Sequence, residues 1–133
     1  MEVINIELLD KICEEAKVNA RLRMNYNLHK SLDQPVQQLL NALEPGTFLP
    51  IHRHHHSDET CLIMQGSLLL KTYSSDGDLL KTIELNTKKG NFAATVPAGE
   101  WHTIEVLESN TVIFELKEGP YTPLRPEDIL QLK

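Results

Sequence analysis

The sequence predicts a mainly β protein, a small antiparallel barrel or jelly roll preceded by one or two helices. Three observations carry that reading. From position 59 onward, β-rich segments of about seven residues recur with turn residues between them. The first seventeen residues show helical periodicity instead. The length, 133 residues, suits one domain with one hydrophobic core.

At the N-terminus, Leu8, Leu9, Ile12, Cys13 and Ala16 share one helical face, and Glu7, Asp10, Lys11, Glu14 and Lys17 fall elsewhere. "RLRMNYNLH" (21–29) then alternates like a strand. Arg21, Arg23, Asn25, Asn27 and His29 take one face, and Leu22, Met24, Tyr26 and Leu28 the other. Two roles fit the polar face: a solvated edge, or a stripe that contacts a ligand. Two arginines and two asparagines without an acid suit carboxylate, phosphate or sugar hydroxyls.

A second short helix is expected after Asp33, a candidate N-cap, with Pro35 in its first turn. Val36, Leu39, Leu40 and Leu43 would form its apolar stripe, and "EPG" (44–46) would end it. The expected strands are "ETCLIMQ", "SLLLKTY", "LLKTIEL", "NFAATVP", "WHTIEVL" and "TVIFELK". "SSDGD" (74–78) reads as a hairpin turn. From "EGPY" on, Pro120, Pro123 and Pro126 keep the tail irregular. The organisation expected is one domain overall: residues 1–45 as helices and a polar strand packed on the barrel, and 46–133 as the barrel and its tail.

Composition narrows the partners. Hydrophobic residues make up 41% and charged residues 24%, an ordinary soluble balance. A net charge of −6 argues against nucleic acid and anionic membrane surfaces. No apolar run approaches the ~20 residues of a membrane span. "MEVINIELLDKICEEAK" lacks the basic start and cleavage site of a signal peptide, so a cytoplasmic protein is expected, with Cys13 and Cys61 reduced and buried.

Four of the six histidines crowd into "GTFLPIHRHHHSDETCLIMQG" (46–66). On a strand, His52 and His54 would point the same way, and Glu59 on the next strand could lie across from them. Two imidazoles and a carboxylate make a metal half-site that needs another ligand. "VPAGEWHTIEV" offers His102, just after a Pro97–Gly99 turn. Such a set suits Zn, Fe, Ni, Mn or Cu better than Ca or Mg. His55 and His56 enter a polar turn and read as solvated, with His56 also placed to act beside the metal.

At this point the sequence resembles a known superfamily. Gly46, His52, His54, Glu59 and Gly66, separated by five, one, four and six residues, resemble the first cupin motif. Gly90, Pro97, Gly99 and His102, separated by six, one and two residues, resemble the second. The second motif carries one extra residue before Pro97, and Glu105 and Val106 stand where a closing Asn is usual. The stretches "RLRMNYNLHKSLDQPVQQLLNALEPGT", "PIHRHHHSDET", "VPAGEWHTIEV" and "FELKEGPY" resemble small cupin-fold metalloproteins of the WbuC type. The resemblance implies His52, His54, Glu59 and His102 as ligands of one divalent transition metal. It also implies a homodimer and a setting among bacterial surface-polysaccharide genes.

The function expected is a single-domain cupin metalloprotein acting on a small polar or anionic molecule such as a sugar or sugar acid. Isomerase- or epimerase-like chemistry needs a base near the metal, for which His56, His29 and Glu105 are candidates. The rival readings are an Fe-dependent dioxygenase, a cupin that binds a small ligand without reaction, and a closed structural metal. Arg23, Asn25, Asn27 and His29 are the expected ligand-binding residues. Glu115, Lys117 and Tyr121 are weaker candidates of the same kind, and each reads first as a surface or packing residue. No nucleophile motif, phosphate loop or dinucleotide fingerprint is present.

Overall fold

A computed structural model describes residues 1–132. The predicted first helix is α1, Ile6–Val18. Asn5 caps it by accepting a 3.0 Å hydrogen bond from the Leu8 backbone N–H. Glu7 in the first turn and Lys17 in the last complement the helix dipole. Leu9, Ile12, Cys13 and Ala16 are buried, as their spacing requires.

Eight strands follow: β1 (Arg23–Asn27), β2 (Val36–Leu43), β3 (Glu59–Gln65), β4 (Leu68–Tyr73), β5 (Leu79–Leu85), β6 (Ala93–Val96), β7 (Trp101–Val106) and β8 (Thr111–Glu118). They form two antiparallel sheets, one ordered β1-β2-β8-β3-β6 and the other β5-β4-β7. The architecture is jelly-roll-like, two facing sheets rather than one closed barrel. The 74–78 turn joins β4 to β5: Ser74 N–H donates to Asp78 O at 2.8 Å, and Gly77 takes φ +90°.

The second helix expected after Asp33 does not form, and residues 36–43 are β2. Val36, Leu39, Leu40 and Leu43 match a helical stripe by spacing, but tertiary pairing decides the outcome. β2 is enclosed between β1 and β8, with its whole length in register with β8 from Val36↔Glu118 to Leu43↔Thr111. A strand covered on both faces loses the alternation that would identify it.

The five-stranded sheet has two unlike faces. One carries Met24, Tyr26, Leu40, Ala42, Val112 and Phe114 and packs under α1. The opposite face carries Ile63, Cys61 and Ile113, which meet Leu68, Leu70, Leu85 and Val106 of the smaller sheet. Towards one end of this intersheet space the facing residues turn polar, and the core gives way to a cavity. No helix among the described residues is long and apolar enough to cross a membrane.

The tail after β8 runs back along the histidine segment. Leu130 N–H donates to Ile51 O at 2.8 Å, and Arg53 N–H to Asp128 O at 3.0 Å. Asp128, only 5% exposed, takes ion pairs from Arg53 (3.3 Å) and Arg125 (3.4 Å).

Candidate metal centre

His52 lies in an isolated bridge, where a regular strand was expected. Its N–H donates to His102 O at 3.0 Å, and His102 N–H returns a bond to His52 O at 2.9 Å. His54 follows in irregular backbone. Glu59 starts β3 opposite Val96 and Lys117, not across from the two histidines. The expected hairpin is therefore corrected, yet the groups still converge. The Pro97–Glu100 turn delivers His102: Glu100 N–H donates to Pro97 O (3.2 Å), and Gly99 adopts φ +86°. Gly99 N–H then donates to His54 O (2.8 Å), and Ala98 N–H to the Asp58 carboxylate (2.8 Å), tying the turn to the first motif.

The ring nitrogens of His52, His54 and His102 lie within 4.8 Å of one another, a group able to hold a metal ion. Ring centroids are 4.4 Å apart for His52 and His102, 5.2 Å for His52 and His54, and 5.7 Å for His54 and His102. Backbone carbonyls fix two tautomers. His52 Nδ1 meets Pro50 O at 2.9 Å, and His102 Nδ1 meets Glu100 O at 3.0 Å. A carbonyl only accepts, so each Nδ1 carries the proton and each Nε2 keeps a free lone pair.

His54 Nε2 stands 2.7 Å from Glu59 Oε2, but the contact lacks the alignment of a hydrogen bond. Nε2 of His54 and of His102 are buried without a hydrogen-bond partner among the described residues. Orphaned ring nitrogens beside a carboxylate fit a divalent cation: borderline nitrogen donors and one anionic oxygen.

Electrostatics agree with that fit. Burial, together with neighbouring His102, holds His52 down to about 4, so its ring is neutral at physiological pH. Burial lowers His102 as well. Burial alone would raise Glu59, but His54, His102 and Lys117 outweigh it and hold the carboxyl at about 2. A neutral His52, a lowered His102 and an ionised Glu59 carboxylate are the protonation states a metal needs.

These four residues open into a cavity of about 420 Å³ between the sheets. Arg21, Arg23, Asn25, Asn27 and His29 line the same cavity. The strand reading of 21–29 explains why: with Met24 and Tyr26 turned onto α1, their alternates must face inward. Arg23 is held by a 3.0 Å bond to Phe48 O. His29 Nε2 is buried and unpartnered. Leu49, Leu70, Val96, Ile104 and Ile113 supply apolar wall.

The remaining candidates separate. Glu105 is exposed and paired with Lys71 at 2.7 Å, outside the cavity lining. His55 and His56 are exposed, stacked edge-on at 4.7 Å. They line a separate groove of about 670 Å³ between the histidine segment and the tail. This groove is larger than the cavity, but of the metal-centre residues it touches only His54.

Glu115, Lys117 and Tyr121, the weaker ligand-facing candidates that read first as surface or packing, line the cavity too. The sequence reading missed Gln37 and Asn41, which also line it. Burial, reinforced by Glu59, pushes the Glu115 carboxyl up to about 8, against the pull of Lys117 and Arg23. The signal was present in "TVIFELK": Ile113, Glu115 and Lys117 share one face, but a polar alternate face ordinarily meets water.

Known structures place this geometry in a class. KdgF from Halomonas sp. superposes with a TM-score of 0.60 at 15% identity, over 79% of this chain and 85% of that one. The Cnp3 cupin domain of Schizosaccharomyces pombe gives 0.59 at 14% identity, over 76% and 68%. The capsular polysaccharide assembling protein CapF from Staphylococcus aureus gives 0.60 at 22% identity, over 80% of this chain but 28% of CapF. The fold is a cupin fold. Residues 4–85 match the family described as Domain of unknown function (DUF6016), and the chain belongs to that family. No curated protein matches the sequence.

Proposed function

We propose that this protein is a single-domain cupin metalloprotein. It holds one divalent transition metal on His52, His54, Glu59 and His102 and acts on a small polar or anionic molecule such as a sugar or sugar acid. The observation that carries this is shared space: the unpartnered ring nitrogens and the arginine-bearing strand β1 line one cavity. A volume of about 420 Å³ is in the range of small-molecule sites. Its opening beside the ligands favours a working metal over a closed structural one.

When bound, the metal supplies Lewis acidity and anchors a ligand oxygen. The chain's own residues do the rest. Arg23, Asn25, Asn27 and His29 bind and orient the ligand's oxygens. The apolar wall excludes water. Of the three base candidates, His29 has a free ring nitrogen in the cavity, and the Glu115 carboxyl holds a proton near neutrality. An acid and a base on one cavity wall support isomerase- or epimerase-like proton transfer. The structural likeness to a capsular polysaccharide assembling protein supports a surface-polysaccharide setting, as does the WbuC-type resemblance.

A cytoplasmic homodimer completes the proposal. Leu62, Met64 and Phe92 stay exposed near one another at the β3–β6 edge, which supports an apolar contact between copies. The test is calorimetric titration of citrate into Zn²⁺-loaded and chelator-treated protein. Binding that requires the metal supports the reading, and equal binding by both forms contradicts it.

A further inference from the structure

Asn41 sits on β2 between Asn25 of β1 and Ile113 of β8. Its side chain lines the cavity, is 8% exposed, and leaves Oδ1 without a hydrogen-bond partner. Buried side-chain amides nearly always find partners, because an orphaned one forfeits what water would supply. Ile113 cannot serve. The other end of the amide lies towards Glu115, whose carboxylate form it favours. Turning the amide over would put Oδ1 on Glu115 and orphan the nitrogen instead. In either orientation one polar atom of Asn41 faces the cavity unmet.

His29 repeats the pattern from β1. Its Nδ1 lies 3.0 Å from Gln38 O and 3.1 Å from the Gln38 backbone N. In either tautomer Nε2 is left in the cavity with no partner among the described residues. Beside the Arg23 guanidinium, which suits an anionic oxygen, the wall offers one unmet ring nitrogen and one unmet amide atom. A carboxylate cannot satisfy an orphaned Oδ1. A hydroxyl both donates and accepts, so it satisfies Asn41 in either orientation.

We propose that Asn41 is a specificity-determining residue that reads a ligand hydroxyl, so that the cavity's occupant is a hydroxylated carboxylate rather than a simple acid. This rests on the metal-dependent anion site proposed above and names its substrate class. A ligand without the hydroxyl leaves Asn41 buried and unpaired, which costs it affinity.

The experiment titrates Zn²⁺-loaded protein with gluconate and with hexanoate, two six-carbon monocarboxylates that differ in their hydroxyls. Bound Zn²⁺ is measured first, so failure of the metal reading shows as absent metal before any acid is added. The wild type should favour gluconate by about tenfold or more. Asn41→Leu, close in volume, should keep its metal and its hexanoate affinity while the preference shrinks to about threefold or less. Asn41→Ala replaces it if the leucine variant does not fold, and the wild-type comparison stands alone in any case. The proposal is overturned if the metal-loaded wild type shows no preference or binds neither acid, or if the variant keeps the full preference.

Discussion

His52 and His102 come from segments fifty residues apart, yet their backbones exchange two hydrogen bonds, of 3.0 and 2.9 Å. Opposed residues in such a pair point their side chains to the same side, which sets the two rings 4.4 Å apart at their centroids. The backbone alone thus brings the two rings together.

That preformation predicts the behaviour of the metal-free protein. The intersheet core and the α1 core do not include His52, His54, Glu59 or His102. Chelated protein should keep its β-rich circular dichroism and melt at a lower temperature. Metal bound only by the native state adds about 2.7 kcal/mol at a free concentration of 100 times its Kd. A disordered chelated form would contradict this and indicate a structural metal.

Gly99 is the hinge of the second motif. A Cβ there would meet no heavy atom within 4 Å, so the cost of Gly99→Ala is the backbone's alone, at φ +86°. That cost is about 1–2 kcal/mol. Because Gly99 N–H holds His54 O, the variant should lose metal affinity as well as melting temperature. Unchanged affinity would mean that the turn does not position the ligands.

The buried Glu115 and His52 give the chelated protein opposing pH dependences. Glu115 is raised to about 8, so above about pH 4.5 the unfolded chain has released a proton that the fold retains, and stability falls as pH rises toward 8. His52 is lowered to about 4, so from pH 6.5 down to 4 the unfolded chain binds a proton that the fold refuses, and stability falls as pH drops. Between pH 6.5 and 8 the Glu115 effect stands alone. Denaturant melts of wild type and Glu115→Gln should diverge there by about 1.4 kcal/mol per pH unit in favour of the variant. Parallel curves would show that Glu115 is ionised in the fold.

Arg23→Ala tests the anion-binding wall. Among the described residues its guanidinium bonds only a backbone carbonyl, Phe48 O, so removal should leave metal content unchanged and the melting temperature nearly so. Citrate or phosphate binding to the metal-loaded protein should weaken by about tenfold or more. If binding is unaffected, the β1 arginines serve only the net charge.

The strands of the C-terminal two thirds were legible in the sequence because half-buried antiparallel strands alternate and their turns carry Gly, Pro, Asn and Asp. The convergence of His52, His54 and His102 was legible because these residues stand at motif spacings from turn glycines. Residues 36–43 were not, since burial on both faces erased the period of two and left Val36, Leu39, Leu40 and Leu43 at helical spacing. That misreading also hid Asn41, which a helix would have turned away from its apolar stripe. Glu115 and Lys117 ranked only as weaker candidates for a different reason. Their alternation was plain, but pattern alone does not distinguish a face that meets solvent from one that meets an internal cavity.

The most direct test of the metal centre is elemental analysis of untagged protein purified without a metal-affinity step, set beside His102→Ala and His55→Ala. The account predicts one equivalent of a divalent transition metal in the wild type and in His55→Ala, and loss of stoichiometric metal in His102→Ala. Full metal content in His102→Ala, or none in the wild type even after incubation with Zn²⁺, would contradict it.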